Sequence, residues 1–263
     1  MQALELLNQG KLDEAVTSAI EFVRNEPTNV GGREILSELF CIQGDLERAD
    51  KQADTIVLQQ PESAVTASLL RQLLRAETAR RECWLRGRVP EFIGEPDEVC
   101  KQTLAAIVAS RSGEHAEATD ILAELAGHAE QLAGTCNGTP FTGFRDLDDF
   151  CVGIVEILTS TGKYFWVPSS RIRLAEFADV SRPRDLIWRQ CELSVEDGPT
   201  GVVYIPAVYV NTHSSTDMAE KLGRATNWVE EGEQPVTGLG QRTFLVGEEE
   251  VGIMELKKLE INA

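Results

Sequence analysis

The first quarter of the chain repeats itself. Written against itself with an offset of 34 residues, Gly10 falls on Gly44, Leu12 on Leu46, Ala15 on Ala49 and Pro27 on Pro61. Each of these residue types has a mechanical reason to recur. The glycine ends one helix in a left-handed conformation, the alanine lets two helices approach closely, and the proline stops the second helix before the next unit begins. Leu12, Ala15, Val16, Ala19, Ile20 and Val23 recur at helical spacing, as do Leu36, Leu39 and Phe40 ahead of Gly44. Units of this kind bury their apolar faces against one another, so the pattern demands stacked helical pairs.

A 34-residue period with Gly-x-Leu-x-x-Ala and a closing proline is that of a tetratricopeptide array. Residues 62–86 read as a further long helix, and segment 88–97, with two prolines and a glycine, breaks it. Gly113 and Ala118 follow Gly44 and Ala49 by 69 residues, two periods plus one, so the array is expected to run in degenerate form to about Gln131. A tetratricopeptide-like helical domain over 1–133 offers a concave surface for a peptide or helix of a partner, or serves as a scaffold for the second half. Arg71, Arg75, Arg80, Arg81, Arg86 and Arg88 concentrate positive charge on its long helix. Such a run is either a solvated face, supported by Glu77 four residues before Arg81, or a reader of an acidic partner, for which Arg71 and Arg75 are the candidates.

Composition shifts after residues 134–140, which read as a turn-rich linker, and most of the aromatic residues lie beyond Gly143. Asp146, Asp148 and Asp149 are expected to open a helix whose apolar face continues through Val152, Val155 and Leu158. Segments 163–168, 185–193, 201–206, 242–246 and 251–261 read as strands. The expected architecture is α+β and multidomain: the helical repeat, then a mixed α+β domain over 141–263 with a small, mainly antiparallel sheet.

Chemistry has little to stand on. With 43 acidic and 25 basic residues the net charge is −18, a field that repels nucleic acid. No apolar run is long enough to span a membrane, and the first eleven residues lack the pattern of a secretory signal. The six cysteines follow neither a disulfide nor a zinc spacing, as expected of reduced, buried thiols. His115, His128 and His213 form no metal-ligand pair. Asp146, Asp148 and Asp149 are the one candidate carboxylate cluster, although no calcium-loop spacing follows them. Ser214, His213 and Asp217 are neighbours in a polar loop, which is no evidence for a triad assembled in space. Gly238 and Gly240 belong to no phosphate-binding motif. No catalytic residue, metal or cofactor is indicated. Trp166, Trp188 and Trp228 are either core residues or anchors for a partner, and Arg145, Arg184 and Arg224 either meet that partner or pair with Asp146, Asp148 or Asp185.

Six segments in order carry a resemblance: Phe-Arg-Asp-Leu-Asp-Asp at 144–149, Gly-Lys-Tyr-Phe-Trp-Val-Pro at 162–168, Pro-Arg-Asp-Leu-Ile-Trp at 183–188, Val-Tyr-Ile-Pro-Ala-Val-Tyr at 203–209, Leu-Gly-Arg-Ala-Thr-Asn-Trp at 222–228 and Gly-Leu-Gly-Gln-Arg at 238–242. The chain resembles the ImpE family, also called TagJ, of accessory proteins of bacterial type VI secretion systems. With the helical half the resemblance covers almost the whole chain. It implies a cytoplasmic, non-enzymatic adaptor that contacts a helical segment of the small contractile-sheath subunit, with a link to the AAA+ ATPase that recycles contracted sheaths. The partner-binding candidates are Arg71, Arg75, Arg145, Trp166, Trp188, Arg224 and Trp228. The competing expectations are a metal-dependent hydrolase in which the three aspartates and His213 converge, and a structural homodimer.

Overall fold

The computed structural model describes residues 2–262; the outermost positions of the two expected domains, 1 and 263, lie outside them. Among the described residues, α1 (Gln2–Asn8), α2 (Leu12–Asn25), α3 (Val30–Gln43), α4 (Leu46–Gln59), α5 (Ala64–Arg86), α6 (Glu98–Arg111) and α7 (His115–Ala129) come first. Helix starts follow from side chains that accept backbone N–H groups: Asn29 takes Gly32 N–H, Asp45 takes Arg48 N–H and Asp97 takes Cys100 N–H. Their ends follow from glycine, as at Gly44, whose φ of +91° closes α3 and turns the chain into α4. α1 packs on α2, α3 on α4 and α6 on α7, with α5 laid against α4. No helix of the described residues is long and apolar enough to cross a membrane.

The rest is mainly sheet: β1 (Ala133–Cys136), β2 (Thr139–Thr142), β3 (Phe144–Asp146), β4 (Ile154–Leu158), β5 (Tyr164–Pro168), β6 (Ile172–Phe177), β7 (Trp188–Val195), β8 (Thr200–Pro206), α8 (Met218–Lys221), β9 (Thr226–Val229), β10 (Thr237–Gly240), β11 (Thr243–Val246), β12 (Glu249–Gly252) and β13 (Lys258–Ile261). Eight strands form one antiparallel sheet in the order β2-β1-β13-β6-β7-β8-β4-β5, while β12-β11-β3 and β10-β9 form two smaller sheets. At one rim the backbone of Glu91 bonds to β5, donating to Tyr164 O and accepting from Trp166 N. At the other rim β2 is four residues long and carries Pro140.

The two halves share a core. Ile154, Leu158, Tyr164, Trp166, Trp188 and Tyr204 point from the large sheet into one apolar cluster with Leu70, Leu73 and Leu74 of α5. Val155, Ile157, Val167, Leu193 and Ile205 point the opposite way, into a second cluster with Phe144, Phe244 and Ile253.

The α+β class stands, and the details of the second half differ from expectation in four ways. Residues 134–140 are no linker: Asn137 and Gly138, both at positive φ, turn β1 into β2, and β1 pairs with β13. The sheet is not small. The segment from Asp146 to Leu158 is not a helix but β3, a 3-10 turn over Asp149–Cys151, and β4. All five residues of β4 are buried, because the strand lies between two packed layers and shows no alternation. Finally, 251–261 is two strands separated by a turn, the ends of β12 and all of β13.

Candidate functional site

Glu77 and Arg80 lie on the inward stripe of α5, one to two turns beyond Leu73 and Leu74. Across the junction stands Glu156, in the middle of β4 and 1% exposed. Arg80 grips it with two nitrogens, Nε to Oε1 at 2.8 Å and Nη2 to Oε2 at 3.1 Å, and Nη2 also donates to Val208 O at 2.9 Å. Glu156 Oε1 also accepts from Trp84 Nε1 at 2.7 Å and from Tyr164 Oη at 2.5 Å, and Tyr164 Oη in turn accepts from Trp166 Nε1 at 2.6 Å. From the other side Arg242 donates to Glu156 Oε2 and, at 2.7 Å, to Asp146 Oδ2. The chain of contacts ends where Tyr209 Oη donates to Asp146 Oδ1 at 2.9 Å and Gly238 N–H donates to Asp148 Oδ2 at 2.9 Å. Trp188 Nε1 and Arg81 Nε both donate to Glu77, at 3.2 and 3.1 Å.

Burial alone would raise the Glu156 carboxyl, but the charges of Arg80 and Arg242 outweigh it and hold it down at about 2. Asp148 is the reverse case: burial first, then the neighbouring charge of Asp146, pushes it up to about 7. The folded chain therefore keeps a proton on Asp148 between roughly pH 4 and 7, where the unfolded chain has lost it. Stability from this group falls as pH rises through that window, by up to about 1.4 kcal/mol per pH unit. Urea midpoints of the native chain and of Asp148→Asn across this range test it: the variant is expected to show the shallower fall. Equal slopes would remove Asp148 as its source.

The carboxylates once considered for a metal are otherwise engaged. Asp146 serves Arg242 and Tyr209, Asp148 accepts from Phe150 N–H and Gly238 N–H, and Asp149 accepts from Val236 N–H. His213 Nδ1 lies 2.7 Å from Val210 O and the residue packs on Gly44. No group of three or more His, Cys, Asp or Glu among the described residues is arranged to hold a metal, so the aspartates and His213 do not converge into one. All six cysteines are buried and unpaired with one another.

The expected partner-binding residues scatter. Trp166 and Trp188 are 1% exposed, interior donors rather than surface anchors, because their ring nitrogens find partners only inside the junction. Trp228 is half-buried against Tyr209, with ring centroids 5.8 Å apart. Arg71 is engaged by Asp50 at 2.8 Å and Asp54 at 2.9 Å, which fixes α5 to α4. Arg75 is exposed, donates to Gln72 and lies beside Gly162. Arg145 reaches the Asp146 carbonyl, Arg224 donates to Leu7 O at 3.0 Å, and Arg184 meets Glu38 of α3, so none of the three pairs with the aspartates expected. Arg242 takes that role. The pairing of Glu77 with Arg81 forms, but Glu77 is buried rather than on a solvated face. Arg80 is likewise interior, and the spacing Leu70, Leu73, Leu74, Glu77, Arg80, Trp84 was the signal: opposite charges on an apolar stripe.

Fold and site together define a class, a stack of helical pairs joined through a common core to an antiparallel sheet, with its strongest charges locked at the junction. The family described as ImpE protein matches residues 138–260. The chain is 31% identical to the type VI secretion system accessory component TagJ of Pseudomonas aeruginosa over 261 residues, 99% of this chain and 91% of the relative. The crystal structure of protein VPA1032 from Vibrio parahaemolyticus superposes with a TM-score of 0.90 at 29% identity, covering 100% of this chain and 98% of that one. The chain belongs to the ImpE family, related to the accessory component TagJ of type VI secretion.

Proposed function

We infer that this chain is a non-enzymatic, cytoplasmic adaptor of a type VI secretion system. In this reading its first helices act as tetratricopeptide-like units that hold a helical segment of the small contractile-sheath subunit, and the complex links the sheath to its AAA+ recycling ATPase. The observation that carries the reading is the relation to TagJ along 99% of the chain. A groove of about 510 Å³ between the α3–α4 turn and α5 supports it. Its wall offers Leu46 and Leu85 to the apolar face of an amphipathic helix, and its rim alternates Glu47, Arg81, Glu82 and Arg86. Charges of both signs suit a helix with mixed charge along its polar face, and they set register and on-rate more than affinity. Arg75, Arg145, Arg224 and Trp228 keep solvent-reachable surface and remain proposed contacts.

The test uses the intact chain, because α5 and the sheet share one core. Calorimetry with the N-terminal segment of the small sheath subunit is expected to show binding. The double variant Thr78→Glu, Arg86→Glu, at two exposed groove-lining positions, is expected to weaken it at least tenfold. No heat at high micromolar peptide, together with no co-purification with assembled sheath, would end the adaptor reading. Recovery of the ATPase only when the sheath subunit is present would make that contact indirect.

A further inference from the structure

Between α5, α6 and the β-rich half lies a second, smaller cavity of about 170 Å³. That is close to the roughly 150 Å³ of an engineered cavity that takes up benzene, so a single ring fits and little more. Trp84 and Phe150 line it, their rings edge to face with centroids 6.5 Å apart, and Leu85, Ile107 and Val210 extend the apolar wall. Its mouth is formed by Ser110, Arg111 and Asn211, which keep contact with solvent.

Arg111 gives the mouth its charge. It ends α6 and reaches across to α5, where its Nη2 donates to the carbonyls of Trp84 at 2.6 Å and Cys83 at 3.1 Å. Those carbonyls belong to the last turn of α5, where the helix favours a cation, and they fix the guanidinium beside the tryptophan whose ring lines the cavity. Nη1 and Nε bond to nothing else among the described residues, so three of the five N–H groups of this exposed side chain remain for a ligand. The buried charges behind the cavity do not oppose an anion. Arg80, Arg81 and Arg242 are matched by Glu77, Asp146 and Glu156, and Asp148, the remaining acid of the lining, keeps its proton up to about pH 7. Arg111 has no carboxylate partner among the described residues and is the positive charge left over.

We propose that this cavity binds a small aromatic monocarboxylate, its ring against Trp84 and Phe150 and its carboxylate on the free nitrogens of Arg111. The ring supplies affinity by leaving water and by its contacts with the aromatic walls. The charge-assisted hydrogen bond to Arg111 selects the acid over a neutral amide of the same shape. A guanidinium already held by two carbonyls loses little freedom when the ligand arrives. The site is independent of the adaptor reading: Leu85 is the one residue it has in common with the groove above, and Arg111 lies outside that groove.

The experiment titrates the intact chain at about pH 6 with benzoate and phenylacetate, and with benzamide and acetate as the ring without the charge and the charge without the ring. Calorimetry reads it, together with tryptophan fluorescence, since Trp84 is part of the wall. The aryl acids are expected to bind, with benzamide and acetate at least tenfold weaker. Arg111→Gln is expected to remove the preference for benzoate over benzamide. Ser110→Trp, which plugs the mouth from α6, is expected to weaken the aryl acids at least tenfold with an unchanged circular dichroism spectrum, and Leu85→Trp is the second plug should the first not fold. No binding of either aryl acid at millimolar concentration, equal binding of benzoate and benzamide by the native chain, a preference that survives in folded Arg111→Gln, or aryl-acid binding that survives in a folded plug variant would each overturn the proposal.

Discussion

Glu156→Gln is expected to lose about 3–5 kcal/mol of stability, read as a fall in the urea midpoint at unchanged slope. Among the described residues Glu156 is the only acid that contacts both Arg80 and Arg242, and both guanidiniums are almost wholly buried. Replacing it leaves two desolvated positive charges with an amide whose NH2 group faces donors. Removing one of those charges should restore part of the loss. In the Glu156→Gln background, Arg80→Met is therefore expected to cost far less than it does alone, and strict additivity of the two changes would show that they do not act through each other. The sign of the pH dependence follows from the depressed carboxyl, at about 2 against an ordinary 4.5. Its contribution is fully present above pH 4.5 and is lost as pH falls toward 2, so the gap between native chain and variant is expected to narrow in acid. A gap that stayed constant down to pH 3 would mean the cost is steric rather than ionic.

Gly240→Ala is the second large effect, about 3 kcal/mol or more. At φ +90° the residue occupies backbone space that side-chain-bearing residues rarely adopt, and an added Cβ would stand 2.0 Å from the carbonyl oxygen of Ala225, a backbone atom that cannot swing aside. The cost reaches further than one strand end, because Gly240 N–H donates to Thr212 Oγ1 at 2.8 Å and its carbonyl accepts from Tyr209 N–H at 3.0 Å. Tyr209 in turn holds Asp146, so a shift here is transmitted into the charge network. Gly201→Ala in β8 is the matched comparison: nothing lies within 4 Å of its added Cβ, and the change is expected to be nearly neutral. Equal denaturation midpoints for the two variants would sink the argument.

The helical half was readable because its punctuation is chemical. Gly10, Gly44 and Gly113, aligned by period alone, all sit at positive φ at helix turns, where only glycine is comfortable. The sheet was harder for a physical reason. β4 is buried on both faces, so its run Ile-Val-Glu-Ile-Leu lacks the alternation that marks a half-exposed strand, and the acids ahead of it imitate a helix start. The site was harder still, since Arg80, Glu156 and Arg242 are separated by 76 and 86 residues and only the fold brings them together. Even so, Arg242 stood in one of the segments that carry the family resemblance, and Arg80 within the run of positive charge. What sequence reasoning assigned to the surface was the polarity of these side chains; what decided their place was the partner each finds inside.

The rims of the large sheet have a consequence for how the protein behaves at high concentration. Glu91 takes up the Tyr164 carbonyl and the Trp166 amide on the rim of β5, and β2 offers only four residues with a proline among them. Neither border presents a run of free amides and carbonyls on which a second molecule can lay a strand. Growth of fibres by strand addition to the large sheet is thereby disfavoured, and association across that sheet's rims falls to side-chain surfaces that selection can tune one residue at a time.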